Sequence, residues 1–402
     1  MIKLGCDDSL PRLWKWVEAN EVMDVRDGTH DSPKSVNDGV PLVTSKNLVG
    51  GKIDFSTCNL ISQEDHLAIS KRSAVDDGDI LYAMIGTIGN PVIVEKSQNF
   101  SIKNVALFKF TKSSEVFNRF IYHFLNSKLA VRQFESNSRG GTQKFVSLGN
   151  IRSLKIPLPP LDEQKRIAAI LDKADAIRRK RQQAIDLADD FLRSVFLDMF
   201  GDPVRNPKGW EVKAVEELSI RVTKGESPKW QGFEYCSSGV RFITSENVLW
   251  GKLDNRIKYI PEAFHEKLKR SQVQHGDLLI NLVGASVGRA CLADIEDKTA
   301  NINQAVAVTT FNQTEIISEL ALIQVLLPSV QRVLLGNAVD AARANVSLKN
   351  IRELEFVVPP MGLQLEFMER VSVFRELENK FAQSNQSDLF NSLSQKAFAG
   401  EL

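Results

Sequence analysis

Residues 40–54 read VPLVTSKNLVGGKID, and residues 240–254 read VRFITSENVLWGKLD. Val40, Thr44, Ser45, Asn47, Gly51, Lys52 and Asp54 are matched two hundred residues later by Val240, Thr244, Ser245, Asn247, Gly251, Lys252 and Asp254. A second phrase keeps the same register: VSLGNIRSLKIPLPP at 146–160 returns as VSLKNIRELEFVVPP at 346–360. Two matches at one offset mark a tandem duplication. The repeating unit of about 200 residues is too long for a solenoid repeat and right for a domain. Whatever chemistry one half carries, the other is expected to carry in its own version.

Working outward, each half opens on a Pro-x-x-Trp turn, Pro11 to Trp14 and Pro207 to Trp210. About 140 residues of mixed pattern follow. β-branched and apolar runs at Asp79–Ile85, Val92–Val94, Val105–Phe110, Asp277–Val283 and Ala305–Thr310 read as strands. Helical spacing appears over Phe117–Phe134 and Glu315–Leu335. Each globule is therefore a mixed α/β (α+β) domain.

After Pro159-Pro160 the pattern changes. Ile167, Ile170, Leu171, Ala174, Ile177, Ala184, Ile185, Ala188, Leu192, Val195 and Met199 keep three-and-four spacing until Gly201 and Pro203 stop it. A diproline suits a helix start, where proline's missing N–H costs nothing. The second copy runs from Leu363 through Phe367, Val371, Phe374, Leu377 and Phe381 to Leu389, Leu393 and Phe398. Its polar stretch Ala382–Asp388 predicts a looser or broken middle. A forty-residue helix is roughly 60 Å long, too long to fold back inside such a domain. The expectation is a domain over 1–160, a long helix over 161–200, a domain over 201–360 and a second long helix over 361–402. The two helices are expected to pack antiparallel and bury each other's apolar seams, about a pseudo-twofold axis.

The formal net charge of +1, with 43% hydrophobic and 25% charged residues, describes an ordinary soluble protein and no strong polyanion binder overall. Cys6, Cys58, Cys236 and Cys291 have no CxxC spacing and read as free thiols of a reducing compartment. No stretch is long and apolar enough to span a bilayer, so a cytoplasmic protein without a membrane partner is expected. His30, His66, His123, His265 and His275 form no metal-ligand spacing. The Gly86–Gly89 and Gly284–Gly288 turns lack a phosphate-loop lysine. Asp162 and Glu163 with Lys165 mimic a nuclease's acidic cluster, but acids in a first helical turn are what the helix dipole favours. Neither catalysis nor a cofactor is indicated.

Binding chemistry is what remains. Arg139, Thr142, Gln143 and Lys144 form a Gly-loosened basic loop ahead of Val146, and Arg343 and Asn345 stand at the matching place. Thr44, Ser45, Lys46 and Asn47, with Thr244, Ser245 and Asn247, offer donors that suit phosphates or base edges and equally suit ordinary turn chemistry. The run Arg178–Arg181 serves either as a solvated helix face or as a contact with DNA or an acidic partner.

The stretch Pro157–Ala168, PLPPLDEQKRIA, and the Pro207–Trp210 turn, with two variable domains between long helices, closely resemble the specificity subunits of type I restriction–modification systems. The resemblance covers essentially the whole chain. It implies two target-recognition domains, each reading half of a bipartite site in the major groove of double-stranded DNA. It also implies helices that dock two methylation subunits, with restriction motor subunits joining that core, and places catalysis in those partners. Asp162, Glu163, Gln164 and Gln364 are then the partner-facing candidates. The second helix departs from the pattern, opening Met361-Gly362-Leu363-Gln364, and the first domain opens Pro11-Arg12-Leu13-Trp14. The alternative from another class is a coiled-coil scaffold holding two protein-binding globules and touching no DNA.

Overall fold

A computed structural model describes residues 10–86, 88–110, 115–137, 145–254, 256, 258–295, 299–336, 345–383 and 386–402. The chain divides into two compact units. The first takes Met1–Gln183 with Gln383–Leu402, the second Ala184–Ala382. Each unit thus includes a globule and the helical segments packed on it.

In the first unit the strand Lys15–Glu18 pairs antiparallel with Lys155–Leu158, so the domain's opening is tied to its closing just before the diproline. A four-stranded antiparallel sheet follows in the order Asp24–Asp27, Val105–Lys109, Ile80–Ala83, Gly89–Ile93. A smaller sheet sets Val40–Val43 between Asn59–Ile61, antiparallel, and Ser101–Ile102, parallel. The second unit repeats this plan. Glu211–Ala214 pairs with Glu355–Val358, and the four-stranded sheet runs Ser219–Lys224, Val306–Phe311, Leu278–Asn281, Ala290–Leu292. Its smaller sheet sets Val240–Ile243 between Lys258–Ile260, antiparallel, and Ala300–Ile302, parallel, with Gln272–Val273 added at the edge.

The central strands are mostly apolar because both faces are covered, and side chains alternate between them. Ile80 and Tyr82 face one core of the first unit, Leu81 and Ala83 the other. Leu278 and Ile280, against Leu279, divide in the same way in the second.

Both expected middle helices are broken in two. Asn118–Leu125 gives way to Lys128–Asn137, where the Ser127 hydroxyl accepts the Ala130 N–H at 3.3 Å and caps the new helix. Ser318–Leu326 gives way to Pro328–Leu335 because Pro328 has no N–H to continue the ladder. This second pair is bent by 77°, with Leu320, Val325, Val330 and Leu334 among its buried residues. No single described helix is long and apolar enough to cross a membrane.

The long helix runs Leu161–Phe200 without interruption. The Glu163 and Gln164 N–H groups donate to the Pro160 carbonyl, and Gly201, at φ +79, closes the far end by donating to Leu197 at 2.9 Å. The second long element is helical over Met361–Gln383 and over Gln386–Ala399, and the looser or broken middle expected at Ala382–Asp388 falls at residues 384 and 385, outside the described residues. Within each unit the pairing is antiparallel. Phe191 stacks on Phe374 and Phe196 on Phe367 in the second unit, at ring distances of 4.1 and 5.9 Å. In the first, Arg166 donates to the Leu402 carbonyl and the Arg178 guanidinium lies over Phe390. Ile167 and Leu171 are fully buried, but Ile177 is 48% exposed and lies off the seam.

The two junctions match as well. A Cβ on Gly201 would overlap the Pro207 ring, and one on Gly400, at φ +74, would overlap the Pro11 ring. Trp14 donates its N–H to Pro11, and Trp210 donates its indole N–H to the Phe200 carbonyl at 2.9 Å.

Candidate nucleic-acid interface

The phrase that reveals the duplication builds a turn. Asn47 Oδ1 accepts both the Thr44 N–H and the Thr44 hydroxyl at 2.8 Å, while Nδ2 donates to the Asp54 carbonyl and the Thr57 hydroxyl. Asn247 does the same for Thr244 at 2.9 Å, donating to the carbonyls of Asp254 and Arg256. Both asparagines are buried. Their amides are spent on holding the turn, which removes Asn47, Asn247 and their threonines as donors to a ligand. Ser45 donates to the Asn104 carbonyl at 3.4 Å, and the Ser245 carbonyl accepts from Asn281 at 2.9 Å. The groups left exposed are Lys46 and Lys52 in the first unit, Glu246, Trp250 and Lys252 in the second.

Gln164 and Gln364 also have a different job from the partner contact expected of them. Gln164 Oε1 accepts the Phe117 N–H, and Nε2 donates to the carbonyls of Glu115 and Pro159. Gln364 binds Ile317, Glu315 and Pro359, the same three positions two hundred residues on, all within 3.0 Å. Both side chains are buried. Each one bolts the first turn of a long element to its own globule, and both amide hydrogens are consumed. Asp162 remains exposed, and Glu163 is held below the ordinary carboxylate range by its ion pair with Arg166.

The mid-helix basic run is largely exposed but partly committed to one buried carboxylate. Arg178 and Arg179 both bind Asp175, at 2.6 and 2.7 Å, and Arg179 donates to the Tyr122 hydroxyl at 3.0 Å. Burial acts to raise the Asp175 carboxyl, but the two guanidinia outweigh it and hold it below its ordinary value. Next to it Asp172 holds Arg119 and the buried His123, each at 2.8 Å. Burial keeps the His123 imidazole below its ordinary value against the pull of Asp172.

Arg139, Thr142, Gln143, Lys144 and Arg343 lie outside the described residues. The segments they enter are pinned alike: Val146 donates its N–H to Met84 at 3.0 Å, and Val346 to Leu282 at 2.8 Å. Asn345, just before that anchor, is exposed. Among the described residues no group of three or more His, Cys, Asp or Glu could hold a metal ion.

A pair of loops escaped the reading by offset. Ser32-Pro33-Lys34 and Ser227-Pro228-Lys229 recur 195 residues apart, out of the main register. In the second loop Trp230 is 75% exposed, Lys258 lies 5.6 Å from the Tyr235 ring and Lys267 lies 5.5 Å from the Phe233 ring. In the first, His30 sits between Asp27 and Asn104, at 2.9 and 2.8 Å, and Lys34 is exposed.

Comparison with known proteins gives one consistent result. The model of the type I restriction modification DNA specificity domain matches residues 11–187. The chain is 24% identical to the type I restriction enzyme EcoBI specificity subunit of Escherichia coli, over 98% of this chain and 87% of that protein. It is also 24% identical to the EcoKI specificity subunit of Escherichia coli strain K12, over 98% and 90%. The fold resembles that of a solved S subunit of a type I restriction–modification system from M. genitalium, with a TM-score of 0.52 at 15% identity, covering 99% of this chain and 98% of that one.

Proposed function

We propose that the chain, similar to type I restriction–modification DNA specificity proteins, is one of that family, that it reads a bipartite site on double-stranded DNA, one half per unit, and that it brings methylation and restriction subunits to it. The observation that carries this reading is the duplication. Two units with one sheet topology stand on one chain, and their surfaces have diverged. Two like readers of unlike surface suit a target with two unlike halves. Relatives named as specificity subunits support this over a scaffold that touches no DNA.

The chemistry then belongs to the partners. Methyl transfer to a base inside a duplex needs base flipping and a methyl donor, both of which we assign to methylation subunits. The long helices are the docking elements of this reading, with Asp162 rather than Gln164 or Gln364 facing outward at the first helix start. The basic loops at Arg139–Lys144 and Arg343–Asn345 stay candidates for DNA contact. The site of action is cytoplasmic, where the DNA is.

The test is a methylome. The chain co-expressed with type I methylation subunits should place methyl groups at one bipartite motif, and cells carrying the methylation subunits alone should lack it. Identical methylation with and without the chain would overturn the function.

A further inference from the structure

Beyond assigning DNA as target, the structure points to where each unit reads it. We propose that the loops at residues 29–38 and 226–238 are the specificity-determining elements, with Trp230 the principal reader of the second half-site and with Lys34 and Lys229 each a phosphate contact of its own unit. This rests on the DNA-reading function proposed above.

The first observation is how the loops are held. Each leaves the first strand of the four-stranded sheet at a glycine, Gly28 or Gly225, where any Cβ would overlap the carbonyl of Ile102 or Ile302. Each re-enters at Gly39 or Gly239, where a Cβ would overlap the carbonyl of Ile61 or Ile260. Gly28 and Gly225 donate their N–H groups to Val105 and Val306, at 2.9 and 3.4 Å. Four backbone contacts that only glycine allows therefore hold the loop ends at corresponding places in both units. Between these fixed ends the content is free to differ: ten residues in one, thirteen in the other. A variable loop on invariant anchors is how a rigid scaffold presents a changeable recognition surface.

The second observation is what the loops expose. After the shared Ser-Pro, Lys34 and Lys229 both stand in solvent. The next position separates the units, Ser35 in one and Trp230 in the other. Trp230 sits on the short turn Lys229–Gln231, braced from below by the Gln231 and Phe233 N–H groups on the Pro228 carbonyl. Glu226 anchors the loop's other side through Arg270 and Gln231. The indole is thus an exposed aromatic on a stiff base, next in the chain to Lys229, while Lys258 lies over the Tyr235 ring of the same loop. That is the chemistry of a side chain set against base edges or a base step, with lysines on the phosphates. The first loop offers the exposed Ser35 and Asn37 instead, the chemistry of hydrogen-bond readout.

The test uses the full chain co-expressed with type I methylation subunits, with the modified motif read by sequencing and binding measured on duplexes altered in one half. Trp230→Ala should lower discrimination at one or more positions of one half-site by roughly tenfold, leaving the other half unchanged. Lys34→Ala and Lys229→Ala should each weaken all sequences alike and reduce the salt slope by about one. Because Trp230 is exposed, its removal leaves no cavity; an unchanged melting temperature is the folding control, and Trp230→Phe serves if it falls. Grafting residues 226–238 between Gly28 and Gly39 should rewrite the first half-motif. A motif unchanged by Trp230→Ala and by the graft would overturn the loop assignment while leaving DNA reading intact. A wild-type chain that directs no bipartite motif at all would overturn both.

Discussion

The two four-stranded sheets solve one electrostatic problem with their cation on different strands. Both units carry a buried aspartate after a Gly-Asp turn, Asp79 and Asp277, which accepts the N–H three residues back, from Asp76 or Gln274, at 2.8 Å. Burial raises both carboxyls above their ordinary values. In the first unit Lys109 answers from 2.9 Å, and Asp24 faces it across the ladder. In the second the ladder pair is reversed in kind: Thr310 takes the place of the lysine and Arg221, opposite, supplies the cation at 3.0 Å. The interior therefore preserves a neutralised carboxylate rather than a residue, because an unpaired buried charge is costly. The loops between Gly28 and Gly39 and between Gly225 and Gly239 show the opposite behaviour. There the anchors persist and the contents drift without compensation, as expected where divergence changes the target and not the fold.

The sharpest way to break this comparison is to remove a cation. Arg221→Met should destabilise the second unit by about 2–4 kcal/mol, below a wholly buried pair's value because Thr310 and Gln274 still bind Asp277. Lys109→Thr should cost the first unit a similar amount, and adding Asp24→Arg should restore more than half of it. Thermal or urea melts of the full chain measure all three; a double variant no better than Lys109→Thr would mean the strands are not interchangeable carriers of the charge.

Next in size are the two glutamines. Gln364→Ala leaves the Ile317 N–H and two carbonyls without their partner, and Gln164→Ala does the same at Phe117, Glu115 and Pro159. About 2 kcal/mol is expected for each, with equal losses if the two bolts are equivalent. A Gln164→Ala chain that melts normally but no longer binds methylation subunits would restore that side chain as a partner contact.

The smallest effect separates the helices. Asp175 is held below its ordinary value, so its contribution to stability is complete above the usual carboxylate range and disappears as pH falls through the lower folded value. Asp175→Asn should cost about 1–2 kcal/mol at neutral pH, the guanidinia being half exposed, and should flatten the acid limb of the stability profile. An acid limb identical to wild type would remove Asp175 as its source.

Much of this architecture was legible in the chain. The repeated phrases gave the duplication, and the diprolines gave the helix starts because both depend on local backbone chemistry. Burial was not legible: Thr44, Asn47 and Gln164 look like surface donors by type, and only packing reveals that their hydrogen bonds are spent at home. Ile177 kept the apolar spacing yet sits off the seam, since periodicity cannot say how wide the covered stripe is. The Ser-Pro-Lys loops lie outside that register, because the stretch from Ser227 to Gly239 is five residues longer than that from Ser32 to Gly39 and moves the match from an offset of 200 to 195.

The junction at Gly400 carries a last consequence. Gly201 ends a helix against Pro207, and the chain runs on from one to the other; Gly400 ends a helix against Pro11 with no such link. The same joint is made once with a covalent connection and once without. A circular permutant that joins Leu402 to Leu10 through a short linker and opens between Asp202 and Pro207 should fold to the same two units, with a melting profile like that of the parent. Failure to yield folded protein would show that the covalent link, and not the helix-end contact, holds the joint.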